Sequence, residues 1–141
     1  MRKNNLIALI GRVSEQANRF IVRELEKHGI EGIVPSHGDI LVLLFGGEQL
    51  TMQEIAGKIH RTKPTVTVLV NKLVELGYVT KEKSDTDNRV THIALTKKGE
   101  SLKPAFEAIS NSLNTLVYQG FSDDEAEKLE LMIEAIRSRF E

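Results

Sequence analysis

The feature that most constrains the fold is a helix-turn-helix pattern over residues 51–77 that runs directly into a short basic hairpin. Thr51 and Glu54 have the spacing of a capping box, in which the threonine hydroxyl and the glutamate carboxylate each accept the other residue's amide N–H. This box predicts the start of a first helix, and residues 58–61 predict a short break after it. Ile55 and Ala56 supply the apolar contact and the small side chain that two crossing helices need.

A second helix is predicted to begin at Thr62 and to end at Gly77. Thr62 can cap it, and Pro64 fits its first turn because no N–H is needed there. Its apolar residues recur at intervals of three and four and predict a buried stripe, made of Val66, Leu69, Val70, Leu73 and Gly77. The opposite face holds Pro64, Thr67, Val68, Asn71 and Lys72. Short polar side chains near the start of such a helix favour the DNA major groove, which admits one helix.

A basic β-hairpin is predicted after Gly77. Residues 78–83 and 89–95 alternate and contain β-branched side chains, and the turn formers between them predict an exposed, polar tip. A hairpin of this length suits a wing beside the second helix, where Arg89 could enter the narrow minor groove. The alternative is a solvated turn in which Asp and Arg pair locally, a contact worth under about 1 kcal/mol.

Two short motifs in and after this hairpin resemble the wing signature of the MarR family of bacterial winged helix-turn-helix transcriptional regulators. They are Asp87-x-Arg89 and Leu95-Thr96-x-x-Gly99, placed just after residues 73–79, and the similarity covers nearly the whole chain. The resemblance implies that Arg89 inserts into the minor groove and that Asp87 braces the wing through ion pairs. It also implies that the helix over residues 62–77 lies in the major groove.

The charge distribution supports a nucleic-acid partner, although the whole chain has a net charge of −1. Residues 57–98 hold nine Lys/Arg against four acids, a net of +5, whereas the remaining ten Lys/Arg against sixteen acids give −6. A basic segment in an acidic chain concentrates positive potential where phosphates would lie. Val68 has two interpretations, contact with a thymine methyl group or an isolated exposed valine. The predicted contacts to double-stranded DNA are Lys58, Arg61, Thr62, Lys63, Pro64, Thr65, Thr67, Val68, Asn71, Lys72, Lys81, Lys83 and Arg89.

Amphipathic helices are predicted at both ends of the chain. The first covers residues 4–28, a further helix lies between residues 96 and 120 with Pro104 bending it or marking its start, and Ser122 opens a last helix with a second capping box. Their apolar stripes exceed what the middle segment can cover, so we expect them to pack against a second copy. The alternative is an intramolecular bundle below a monomeric head.

The expected fold is therefore mainly α (α+β) and forms a single domain over residues 1–141. Residues 36–98 are predicted to form a winged helix-turn-helix head with a small β-hairpin wing. Residues 1–30 and 99–141 are predicted to be the N- and C-terminal dimerisation helices.

A small-molecule effector is expected from the MarR resemblance, which implies a pocket for small aromatic or lipophilic anions whose binding shifts the spacing of the two heads. Its expected lining is segment 33–37, which contains His37, together with Phe20, Phe45 and Phe106, although such side chains equally fit a plain core. The chain has no cysteine, which removes thiol oxidation as a signal. Its four histidines lack partners at ligand spacing, so no metal site and no cofactor is predicted.

The sequence thus predicts a ligand-responsive repressor that binds a pseudo-palindromic operator as a homodimer. The alternative is a winged-helix module for protein interaction without sequence-specific DNA binding, in which the basic segment meets an acidic partner. An enzyme is disfavoured and no catalytic residue is predicted, because no nucleophile with a base, phosphate-binding glycine loop or metal cluster is visible. No segment is apolar over enough residues to span a bilayer, so a cytoplasmic location is expected.

Overall fold

The computed structural model describes residues 4–84, 86–87 and 89–141. Asp85 and Asn88, which belong to the predicted polar tip of the hairpin, lie outside the described residues. Two compact units are present, Met1–Ile109 and Ser110–Glu141. The assignment of a DNA-binding head and of flanking dimerisation helices within a single domain stays a prediction.

The elements follow the order of a winged helix-turn-helix. In chain order they are α1 (Leu6–Lys27), α2 (Pro35–Leu44), β1 (Leu50–Thr51), α3 (Met52–Ile59), α4 (Lys63–Glu75), β2 (Val79–Lys83), β3 (Thr91–Leu95), α5 (Lys97–Glu100), α6 (Lys103–Tyr118) and α7 (Asp123–Ser138). The predicted fold class, mainly helical with a small hairpin wing, is confirmed.

The three strands form one antiparallel sheet in the order β1-β3-β2. In the hairpin, Val79 pairs with Leu95. On the other side of β3, Leu50 pairs with Ile93. Because β1 leads directly into α3, this pairing attaches the wing to the first helix of the helix-turn-helix.

The helix ends follow the residues that predicted them. Thr51 Oγ1 accepts the Glu54 N–H at 3.1 Å, and a Glu54 carboxylate oxygen accepts the Thr51 N–H at 3.0 Å, which closes the capping box of α3. Thr62 Oγ1 accepts the Thr65 N–H at the start of α4. Gly77 follows α4 with a φ of +84°, a conformation that favours glycine at the end of a helix.

The predicted break over residues 58–61 begins too early. Helix α3 continues through Ile59, and His60 ends it in the left-handed region with a φ of +58°. Histidine is one of the few residues other than glycine that is enriched there, so no glycine signals this helix end. The Arg61 N–H bonds back to the Ala56 carbonyl at 3.1 Å and satisfies an end carbonyl of the helix.

One core in the first unit fixes the helix pair. Its fully buried side chains come from α2, α3, α4 and the sheet, and they are Ile40, Leu41, Leu44, Ile55, Val66, Val70, Leu73, Val79 and Ile93. Three of these belong to the stripe predicted on α4, whose Leu69 is half-buried. Burying each such side chain contributes about 1.5–3 kcal/mol. Helix α4 is therefore held with its opposite face toward solvent.

The terminal helices begin and end close to the residues that the sequence predicted. Helix α1 ends at Lys27, and Gly29 follows with a φ of +75°. Pro104 is the second residue of α6, so it lies in the first turn and does not bend the helix. Ser122 and Glu125 form the predicted capping box of α7. In the part of the chain that is described, no helix is long and apolar enough to cross a membrane.

Candidate nucleic-acid interface

The outward face of α4 presents polar side chains on a rigid helix. Val68 is 70% exposed and stands among them. Thr67 is half-buried and donates its hydroxyl hydrogen to the Lys63 carbonyl at 3.0 Å. Its oxygen therefore remains available as an acceptor. One turn earlier, the Thr62 hydroxyl donates to Thr65 Oγ1 at 3.0 Å, so two threonines at the start of the helix hold each other in place.

Three cations from separate elements line one cleft between the helix pair and the wing. Lys63 comes from the first turn of α4, Lys81 from β2 and Arg89 from the hairpin. The cleft has a volume of about 380 Å³, and the rest of its lining is Thr51, Met52, Gln53, Val90 and Thr91. None of these lining residues carries a carboxylate. Three positive groups around one opening suit the oxygen atoms of a phosphate backbone.

The wing residue Arg89 is 93% exposed and is oriented by Asp87. The backbone N–H of Arg89 donates to Asp87 Oδ1 at 2.9 Å, and Arg89 Nε donates to the same oxygen at 3.3 Å. The first contact is an Asx-type turn that fixes the backbone of the wing. The second is an exposed ion pair, which contributes at most about 1 kcal/mol and is easily exchanged for a phosphate.

The base of the wing is bound to the C-terminus of α4. Thr96 Oγ1 donates to the Gly77 carbonyl at 2.6 Å, and Lys98 Nζ donates to the Leu76 carbonyl at 2.8 Å. Carbonyls at a helix C-terminus have no partner inside the helix, and a cation there also complements the helix dipole. Lys98 Nζ lies 5.0 Å from the centroid of the Tyr78 ring as well. These contacts hold α4 and the wing together.

Gly99 allows a close backbone approach at this base. A Cβ atom at this position would lie 2.2 Å from the Tyr78 carbonyl oxygen and 2.8 Å from the Leu95 side chain. The Gly99 N–H donates to Thr96 Oγ1 at 3.0 Å, which caps α5. Thr96 and Gly99 have the spacing of an N-cap residue and its partner amide, a signal that could have identified this contact from the sequence.

Residues 33–91, which include α2, the helix pair and most of the hairpin, match the family model of the MarR family. The chain is therefore similar to MarR-family proteins over this segment. It is 25% identical to the protein in the S. aureus MepR-DNA complex, with a TM-score of 0.84 over 99% of this chain and 98% of that one. It is also similar to two HTH-type transcriptional regulators, YkoM of Bacillus subtilis and SarZ of Staphylococcus haemolyticus. Their identities are 24% and 25%, over 94% and 89% of this chain and 84% and 80% of theirs.

The fold is that of winged-helix transcriptional regulators. The predicted DNA contacts have different surroundings within it. Most of them are exposed, including Lys58, Arg61 and Lys83. Lys72 is half-buried, and its stem lies 3.9 Å from the point where Gly32 would carry a Cβ atom. Lys72 therefore lies beside the loop between α1 and α2 and is not among the residues that line the cleft of Lys63, Lys81 and Arg89.

The residues predicted for an effector pocket lie largely within the packing of the protein. The rings of Phe45 and Phe106 meet edge to face with centroids 5.4 Å apart, and both pack against the core. Phe20 is half-buried on α1. Phe45 also lines a separate cleft of about 420 Å³, whose polar rim includes Glu48, Gln49, Glu100 and Lys103. The effector pocket stays a prediction.

His37 is buried at the start of α2 and accepts a hydrogen bond there. The Val34 N–H donates to His37 Nδ1 at 2.9 Å, and only a neutral ring can accept at that atom. Burial lowers the pKa of His37 below its ordinary 6.5, and the nearby charge of Lys72 lowers it further. The start of α2 therefore requires an uncharged histidine.

Acidification is expected to weaken the fold through His37. Because its folded-state pKa lies below the unfolded value, its contribution to stability is complete above pH 6.5 and is lost as the pH falls from there toward the folded pKa. Glutamine can still accept the Val34 N–H but does not titrate. His37→Gln should therefore flatten the pH dependence of the free energy of unfolding, by at most about 1.4 kcal/mol per pH unit.

Urea unfolding at a series of pH values from about 7.5 down to about 5 measures this dependence. Parallel curves for His37→Gln and the parent would contradict the assignment.

Proposed function

We propose that this regulator is a transcriptional repressor that binds a pseudo-palindromic DNA operator as a homodimer. The observation that carries the proposal is the cleft lined by Lys63, Lys81 and Arg89, whose described lining residues carry no carboxylate. A phosphate strand that enters this cleft would bring α4 against the major groove and the wing tip against the adjacent minor groove. The S. aureus MepR-DNA complex contains DNA together with a protein of the same fold, which supports this placement.

The exposed face of α4 and the wing have different roles in this proposal. Phosphate contacts from Lys58, Lys63 and Lys83 fix the register of the protein on the duplex but carry no sequence information. Base contacts come from the helix face that presents Thr67 and Asn71. Arg89 reads the width and electronegativity of the minor groove, which depend on the sequence.

Exposed apolar side chains on the terminal helices support the homodimer. On α1 they are Leu6, Ile7, Leu9 and Val13, and on α7 and just after it they are Leu131, Met132, Ile133 and Phe140. A soluble chain rarely leaves so many large apolar groups in water unless another surface covers them. A twofold dimer would also place two heads about one helical turn of DNA apart, which doubles the contacts to a pseudo-palindrome.

The proposed signal is a small aromatic or lipophilic anion that weakens DNA binding, as the family resemblance implies. No catalytic role is proposed, because the relatives and the fold are those of transcriptional regulators. A protein that acts on chromosomal DNA would work in the cytoplasm. The alternative function, an interaction module for an acidic protein, gives no reason for an exposed wing arginine and a polar helix face on the same side.

The test is DNA binding as a function of salt concentration. If about eight phosphate contacts form per dimer, the slope of log K against log salt is roughly −7, because each contact contributes about −0.9. Arg89→Ala should reduce the slope to roughly −5 and weaken binding by about 1–3 kcal/mol per head, since the wing tip contributes little to the core. Fluorescence anisotropy on genomic fragments selected by the purified protein measures both quantities.

A matched control removes a positive charge outside the basic segment. Lys128→Ala changes the net charge by the same amount on α7, and it should leave both the slope and the affinity unchanged. A parent protein whose affinity does not change with salt would contradict DNA binding. An Arg89→Ala variant that binds like the parent would remove the wing from the interface.

A further inference from the structure

Asn71 and Lys81 touch each other between the recognition helix and the wing. The Lys81 ammonium, on β2, donates a hydrogen bond to Asn71 Oδ1, on α4. An ammonium has only donors, so the asparagine must turn its carbonyl toward Lys81 and its NH₂ group away. Both side chains are exposed on the face that is proposed to meet DNA. The contact therefore decides which atoms this face offers to a base.

A free asparagine commonly reads adenine, because its carbonyl accepts from the adenine N6 amino group while its NH₂ donates to N7. Here an ammonium stands beside that carbonyl. An adenine or cytosine amino group brought to Asn71 would place its positive hydrogens next to the Lys81 charge. The Asn71 oxygen keeps a second lone pair, but the adjacent charge disfavours an amino group there, so the pair favours a base that offers acceptors. Guanine is the base whose major-groove edge has two neighbouring acceptors, O6 and N7.

We propose that Asn71 and Lys81 act together as a reader of guanine, with Lys81 setting the base preference of Asn71. This inference rests on the proposed DNA-binding function. It assigns Lys81 a role in specificity in addition to any phosphate contact. Because Lys81 lies on β2, which belongs to the wing, the base preference of α4 would also depend on the hairpin beside it.

The experiment is selection of binding sites from random duplex DNA by the purified full-length chain and its variants. The parent should prefer guanine over adenine at one position in each half-site, by about 5- to 150-fold. In Lys81→Met the amide is free to use both its carbonyl and its NH₂, so the preference at that position should move to adenine. Asn71→Ala should remove the preference there and leave the other positions unchanged.

Lys83→Met is the control, because Lys83 lies two residues further along the same face of β2 and loses the same charge. It should weaken binding to all sequences alike and select the same bases as the parent. Circular dichroism checks that each variant is folded. A Lys81→Met variant that keeps guanine, or a parent with no guanine at the Asn71-dependent position, overturns the inference while DNA binding stands. A parent that selects no sequence contradicts the proposed function itself.

Discussion

Replacement of Gly99 by alanine is expected to lower the free energy of unfolding by about 3 kcal/mol, at the upper end of the range for overpacked sites. The new Cβ atom would lie 2.2 Å from the Tyr78 carbonyl oxygen, and backbone cannot move aside as a flexible side chain can. That oxygen also accepts the Thr96 N–H at 3.1 Å. Relief of the clash therefore strains the hydrogen bond between Thr96 and Tyr78 at the base of the wing, and DNA affinity should fall with stability.

Urea unfolding at a fixed protein concentration measures the loss, with the denaturant slope checked for constancy. Gly57→Ala in α3 is the matched control, because a Cβ atom there meets nothing within 4 Å. In a helix this change should stabilise the protein by about 0.5–1 kcal/mol. A Gly99→Ala variant as stable as the parent would show that the backbone at Tyr78 can move away from residue 99 without a loss in the free energy of unfolding.

Local signals in the sequence predict the wing strands and most helix ends, the end of α3 at His60 excepted. The capping residues Thr51, Thr62 and Ser122 each form the predicted hydrogen bond, because a cap depends only on atoms two or three residues away. Gly77 follows the end of α4 for the same local reason. The apolar spacing on α4 also predicts its buried face correctly, which leaves the polar face as the candidate interface.

Contacts between distant residues are not predictable in this way. The two-residue strand β1 exists only because it pairs with β3, about forty residues later in the chain. Likewise, Lys98 belongs to the basic segment in the sequence, whereas its ammonium caps the end of α4 in the fold. The contact between Asn71 and Lys81 requires the wing to fold back beside the helix. A single sequence shows the residue types but not these partners.

The predicted effector pocket shows a different limit. Phe45 and Phe106 are candidates because aromatic residues line many ligand sites, yet the same residues are good core formers. Their edge-to-face contact fills space with protein. Sequence alone cannot distinguish a side chain that lines a cavity from one that fills it, since both require the same apolar surface.

Replacement of Leu131 and Met132 by aspartate is expected to convert the proposed dimer to a monomer. The two side chains are 62% and 59% exposed in the single chain. The double substitution should therefore change the free energy of unfolding of one protomer little. In the proposed dimer these side chains, two from each protomer, are covered. Their loss should weaken the free energy of dimerisation by about 4 kcal/mol or more, which raises the dissociation constant roughly a thousandfold. Operator affinity should fall with it, because one head keeps only half of the contacts.

Sedimentation equilibrium and anisotropy on the selected operator measure the two effects on the same samples. Lys128→Asp is the matched control, because it changes the charge of α7 by the same two units without removing an apolar group. It should stay dimeric. That result would show that the loss of buried apolar side chains, and not charge repulsion, dissociates the Leu131→Asp, Met132→Asp variant. If the Leu131→Asp, Met132→Asp variant also stays dimeric, α7 does not provide the interface through these residues, and the apolar face of α1 would have to account for the dimer without them.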